Sequence, residues 1–135
     1  MRDGFIKVAA GTPQIRVADC RYNAEQIFTL MREADKQGVR VLALPELCLT
    51  GYTCGDLFLQ RTLQQGALDA LHTVLDASRE LDVVALVGLP LLVRGKLYNC
   101  AAVLCGGRLL GLVPKTYLPN YGEFYEKRQF TPGST

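Results

Sequence analysis

Val39-Arg40-Val41-Leu42-Ala43-Leu44-Pro45-Glu46-Leu47-Cys48-Leu49-Thr50-Gly51-Tyr52 is the stretch on which the reading of this chain turns. Its first six residues are apolar apart from Arg40, the pattern of a strand covered on both faces. Pro45 stops that strand, because its ring removes the N–H a ladder needs. A carboxylate, Glu46, is left at the strand end between Leu44 and Leu47. Apolar neighbours would strip water from it, raise its pKa and suit it to accept a proton near neutral pH. Strand-end carboxylates are common, so position alone favours an ordinary loop glutamate.

Working outward, the segment before this strand reads as a helix closed by Gly38. Asp19 or Asn23 can cap it, and Ala24, Ile27, Phe28, Met31 and Ala34 recur at helical spacing up to about Gln37. Phe5 to Gly11 reads as a first strand. Downstream, a loop runs from Pro45 to Phe58 and a second helix from about Thr62 to Leu81, with Ala67, Leu68, Leu71, Val74, Leu75 and Ser78 on one side. Val83 to Gly88 is a third buried strand. Lys96–Leu104 and Arg108–Val113 flank Cys105-Gly106-Gly107, a hairpin signal. Strand, helix, strand, helix, strand and hairpin make an α/β fold with a mixed sheet.

The last apolar run ends in Pro114-Lys115-Thr116-Tyr117-Leu118-Pro119-Asn120-Tyr121-Gly122-Glu123. A lysine at a strand end can hold a developing oxyanion as a fixed positive charge, or can simply be solvated. Glu123 can position a substrate amide or the lysine; Glu126 competes for that role, and either can instead pair with Lys127 or Arg128. The aromatic-rich segment from Tyr117 to Thr135 has no later element to pack against and resembles an active-site loop of a domain whose second half is missing.

Other candidates are weaker. His72 lies mid-helix between Leu71 and Thr73, with no nucleophile at hand, and reads as structural or surface. Cys20, Cys48, Cys54, Cys100 and Cys105 form no CxxC or CxxH pair, so neither a disulfide framework nor a metal site is indicated. Free cysteines are mostly small apolar core residues. Cys48 and Cys54 lie near Glu46, but a thiol nucleophile needs a base and an electropositive setting. A hydrophobic fraction of 49% permits a sizeable core, while a net charge of +2 and no basic run beyond Lys127-Arg128 argue against nucleic acid. Val83 to Val93, the longest uncharged apolar stretch, contains Gly88 and Pro90 and is too short to span a bilayer. The start, Met1-Arg2-Asp3-Gly4, leads straight into a strand-like run with no signal segment, so the expected location is the cytoplasm.

The Leu44–Tyr52 run and the run from Val113 through Phe130 together resemble the nitrilase, or carbon-nitrogen hydrolase, superfamily. Phe5-Ile6-Lys7-Val8-Ala9-Ala10-Gly11-Thr12-Pro13, Thr50-Gly51-Tyr52-Thr53-Cys54-Gly55-Asp56-Leu57-Phe58 and Glu123-Phe124-Tyr125-Glu126-Lys127-Arg128-Gln129-Phe130 are similar to the glutaminase domains of glutamine-dependent NAD synthetases. The resemblance covers essentially all of residues 1–135. It implies the first half of an α-β-β-α sandwich and a Glu-Lys-Cys thiol amidase. Glu46 matches the general base and Lys115 the lysine that stabilises the tetrahedral intermediate. Glu123 matches a second glutamate near the site; Tyr52 and Tyr121 match loop aromatics that shape the glutamine pocket. The family's nucleophilic cysteine would lie beyond Thr135, leaving this chain inactive alone, with apolar faces and strand edges exposed. The resemblance further implies homo-oligomers, glutamine as substrate, and a partner synthetase domain using ATP and Mg to amidate deamido-NAD. Two other readings stay open: another nitrilase-type hydrolase of a small amide, and a non-catalytic α/β binding module.

Overall fold

The apolar run ending at Ala43 is paired with a strand on each edge, but among the described residues only one of its faces is covered, not both as its composition predicts. The computed structural model describes residues 4–120, 124 and 126–134, and the elements named are those of the described residues. In chain order they are β1 (Lys7–Ala10), α1 (Cys20–Lys36), β2 (Val39–Ala43), α2 (Arg61–Ala77), β3 (Val84–Val93), β4 (Lys96–Cys105), β5 (Arg108–Pro114) and α3 (Glu126–Gln129). Short 3₁₀ turns cover Gly55–Leu59 and Ser78–Glu80. The five strands form one sheet in sequential order, with β1, β2 and β3 parallel and β4 and β5 antiparallel. This is the expected α/β mixed sheet.

Both long helices cover one face. Asp19 caps α1, its side chain accepting from the Tyr22 N–H, and Gly38 leaves the helix at φ 79°. Ile27, Met31 and Val74 are fully buried with Ala85, Val87 and Leu104 in one core. The residue row Ala9, Leu42, Ala85 and Leu104 lies on that side. The adjacent row, Ala10, Ala43, Leu86, Val103 and Gly111, runs across all five strands and is wholly apolar, yet none of its members is buried. No described element covers this second face. His72 is exposed on α2, and no described helix is long and apolar enough to cross a membrane.

Three expectations are corrected. β3 does not stop at Gly88 but runs through Pro90 to Val93, where Arg94 and Gly95, both at positive φ, turn it into β4. Pro90 is tolerated because β2 pairs with β3 only as far as Leu86, so no ladder partner waits for its missing N–H. α2 ends four residues before Leu81, and a 3₁₀ turn completes the segment. The C-terminal segment does find packing: α3 follows Pro119, Phe130 is buried against Phe58, and the Thr131 and Gly133 N–H groups bond the Leu97 and Lys115 carbonyls.

Candidate active site

The backbone around Glu46 makes a tight elbow. Leu47 adopts φ 55°, a costly conformation for a branched side chain. The turn is closed by the Thr50 and Gly51 N–H groups, both donating to the Leu47 carbonyl. Buried Asn23 braces it, donating to the Arg16 and Leu49 carbonyls and accepting from the Arg16 N–H. On its other side the elbow lies directly on Gly88. A Cβ there would stand 2.3 Å from the Leu47 nitrogen and 3.0 Å from the Pro45 oxygen, both backbone atoms that cannot swing away. Gly88→Ala is therefore expected to cost about 1–3 kcal/mol, the range for overpacked sites, measured by urea unfolding, and to shift Glu46.

Glu46 follows β2 and Lys115 follows β5, 69 residues apart in sequence; their side chains meet at the end of the open sheet face, Lys115 Nζ to Glu46 Oε1 at 2.5 Å. Asn99, on β4 between them, donates its amide to the same oxygen at 2.6 Å and to Glu126 Oε1 at 3.2 Å. Glu126 is almost fully buried, and its two oxygens lie 3.2 and 3.1 Å from Lys115 Nζ. Tyr52 donates its hydroxyl to Glu126 Oε2 at 3.2 Å. Two carboxylates thus share one ammonium, a net charge of −1 if all three are ionised. Glu46 is 39% exposed, more open than its leucine neighbours suggest. Among the described residues its Oε2 receives no hydrogen bond, which leaves that oxygen to take a proton.

Burial by itself would lower the Lys115 pKa, but the hydrogen bonds it donates to Glu46 and Glu126, and their charges, outweigh it and hold the ammonium above its ordinary value of 10.5. A raised lysine pKa stabilises the fold fully below the unfolded value and loses that contribution as pH rises through the folded one. The pairing is therefore intact throughout the neutral range. For Tyr52, burial and then the Glu126 charge push the phenol up, keeping it a proton donor.

Two cavities flank this cluster. One, about 350 Å³, is bordered by Glu46, Asn99 and Lys115. The other, about 510 Å³, is bordered by Leu47, Tyr52, Phe58, Phe124, Glu126 and Phe130, with Tyr52 and Phe124 edge to face at 6.5 Å. A larger cavity of about 830 Å³ between α1 and α2 contains none of these groups.

None of the four buried thiols is set up as a nucleophile. Burial pushes Cys20, Cys48 and Cys100 to about 11 and raises Cys54. Cys48 points under the elbow, where its sulfur accepts from the Gly88 N–H. Cys54 hydrogen-bonds the Thr50 and Gly51 carbonyls. Alkylation of the native chain at pH 8 is expected to label the half-exposed Cys105 first; prompt modification of Cys48, read by peptide mass, would contradict this assignment.

Of the residues singled out from sequence, Glu46, Lys115 and Tyr52 come together, while Tyr121 and Glu123 lie outside the described residues. Glu126 does not pair with Lys127 or Arg128: it is the second carboxylate on Lys115, and Arg128 turns instead to Asp56. Asn99 was missed. Its one signal is a polar residue inside an otherwise apolar strand, Leu97 to Leu104. Among the described residues no three His, Cys, Asp or Glu side chains gather as metal ligands.

Residues 7–135 match the family model of the carbon-nitrogen hydrolases. The chain is 41% identical over 130 residues to a glutamine-dependent NAD(+) synthetase of Mycobacterium leprae, spanning 96% of this chain and 19% of that protein. Against the synthetase of the same name from Aquifex aeolicus it is 37% identical over 117 residues, 87% of this chain and 20% of the relative. The chain thus spans about a fifth of the length of these curated relatives. It superposes on a glutamine-dependent NAD(+) synthetase from Cytophaga hutchinsonii with a TM-score of 0.85 at 32% identity, covering 91% of this chain and 21% of that one. An amidase from Nesterenkonia sp. shares the fold, with a TM-score of 0.82 over the whole chain and 51% of the amidase at 24% identity.

Proposed function

This chain belongs to the carbon-nitrogen hydrolase family, and from that premise we propose that it supplies the base and the oxyanion-stabilising cation of a glutamine amide hydrolase that feeds ammonia to an ATP-dependent NAD synthetase. The observation that carries the reading is the meeting of Glu46 and Lys115 at 2.5 Å, joined by Asn99, at the ends of two strands. The named relatives are glutamine-dependent NAD(+) synthetases, which supports glutamine as the amide.

In this proposal the nucleophile is a cysteine outside residues 1–135, because the buried thiols of this chain are held protonated. Glu46 takes the thiol proton as sulfur attacks the side-chain amide carbon of glutamine. Lys115 stabilises the oxygen that becomes negative as a fixed positive charge, held in place by its contacts to Glu46 and Glu126. Glu46 returns the proton to the nitrogen, the C–N bond breaks and ammonia leaves a thioester. Glu46 next draws a proton from water, which attacks the thioester and frees glutamate and the thiol. Tyr52, with Tyr121 and Glu123 matched by resemblance, borders the substrate; the reacting amide belongs in the cavity of about 350 Å³ that Glu46, Asn99 and Lys115 border, beside the one of about 510 Å³ next to Tyr52.

ATP and Mg belong to the synthetase portion in this reading. The open apolar sheet face suits a further layer of a sandwich, and five free cysteines suit the cytoplasm. Pairing into homo-oligomers is part of the same proposal.

The test is ammonia release from glutamine, with acetamide alongside, by the gene product that carries this chain. Hydrolysis of glutamine supports the proposal. Hydrolysis of acetamide alone would replace it with a small-amide hydrolase, and hydrolysis of neither would leave Glu46 and Lys115 as structural residues.

A further inference from the structure

The 3₁₀ turn Gly55–Leu59 and α3 are joined twice. Inside, the Phe58 and Phe130 rings, both buried, stand 4.9 Å apart. Outside, Arg128 grips Asp56 with two parallel hydrogen bonds, Nε to Oδ1 at 2.8 Å and Nη2 to Oδ2 at 2.9 Å, and Gln129 Nε2 adds a third to Oδ1 at 3.1 Å. These bonds, Arg128's first, hold the Asp56 carboxyl down at about 2. Arg128 lies two residues beyond Glu126, whose carboxylate meets Lys115, Asn99 and Tyr52. α3 is a single turn of four residues, too short to hold its own conformation. Its orientation must come from what it is tied to.

We infer that Asp56 and Arg128 are positioning residues for the candidate site: their forked ion pair latches α3 to the 3₁₀ turn and so fixes the Glu126 carboxylate against Lys115 and Tyr52. Neither hydrogen-bonds to the cluster, though both border the cavity of about 510 Å³ beside Tyr52. Both are well exposed, and exposed ion pairs contribute little to global stability. A two-pronged arginine–carboxylate contact fixes distance and plane together, which a single contact does not. The same tie sets the spacing between Tyr52 and Phe130 across the cavity that both border. The inference rests on the proposal that this site hydrolyses an amide.

The test uses Asp56→Asn in the gene product that carries this chain. It should keep the wild-type melting midpoint yet lower kcat/KM for glutamine about tenfold, within the hundredfold that a ~1 Å misplacement can cost. Ammonia-dependent synthesis should be unchanged, and amide hydrogen exchange should quicken over residues 126–130. Arg128→Lys should behave similarly, since a point charge cannot replace the fork. The double swap Asp56→Arg with Arg128→Asp should recover most of the lost hydrolysis. Unchanged kcat/KM and exchange in Asp56→Asn would overturn the latch, as would a loss of activity with unchanged exchange and no recovery by the swap. If the wild-type product hydrolyses no amide, the proposed function falls and exchange alone decides: faster exchange in Asp56→Asn keeps the latch, and unchanged exchange sinks it.

Discussion

Glu46→Gln is expected to lower glutamine hydrolysis about 10²–10⁴-fold, the range for loss of a positioned general base, while the protein keeps its fold. The substitution is nearly isosteric. The amide oxygen can still accept from Lys115 and Asn99, the two contacts that seat the side chain. What disappears is the oxygen that takes and returns a proton. Because the side chain is 39% exposed and its backbone is fixed by the elbow on Gly88, little packing depends on its charge. Steady-state ammonia release, paired with a thermal melt, separates the roles. An inactive protein with an unchanged melt fits a chemical role. Full activity in Glu46→Gln would remove Glu46 from the mechanism and with it the observation that carries the proposed function.

Lys115→Ala is expected to abolish use of glutamine, with a loss of at least about 10²–10³-fold, as when one oxyanion donor is removed. It differs from the first substitution in leaving damage behind. Glu46 and Glu126 would face each other across Asn99 with no cation between them, and Glu126 is buried. Some stability should therefore be lost. Lys115→Arg controls for that, since it keeps the charge but spreads it over a planar fork that cannot occupy the same point. Both variants should lose hydrolysis, and only the alanine variant should unfold more easily in urea. If the product also accepts free ammonia, that synthesis should survive in both. Loss of ammonia-dependent synthesis in Lys115→Arg would point to misfolding rather than to a missing oxyanion partner.

The two ends of the ion pair were legible because each stands at a punctuated strand end. Pro45 and Pro114 stop apolar runs, and the polar residue that follows is conspicuous. The β4–β5 hairpin was legible for a similar reason: Gly106 and Gly107 take up the positive φ angles a tight turn demands. The β3–β4 hairpin was not. Its turn, Arg94-Gly95, carries only half of that signature, and Pro90 argued for an earlier stop. Glu126 could be offered only as a rival to Glu123, because nothing local says whether a glutamate in Glu126-Lys127-Arg128 pairs with its neighbours or turns inward.

The sequence by itself determined the alternation of strands and helices and the family, and through the family resemblance it singled out Glu46 and Lys115. Each of those is written in local features: apolar periodicity, prolines at strand ends, and two long motifs. Only the tertiary structure decided that Asn99 joins the two, that Glu126 is the buried second carboxylate, that Cys48 points under the elbow, and that Asp56 grips Arg128. These are contacts between segments 11 to 72 residues apart in the chain. The chemical type of a side chain fixes what it can bond. Which partner it meets depends on strand register and on the close approach that Gly88 permits, and both are properties of the assembled sheet.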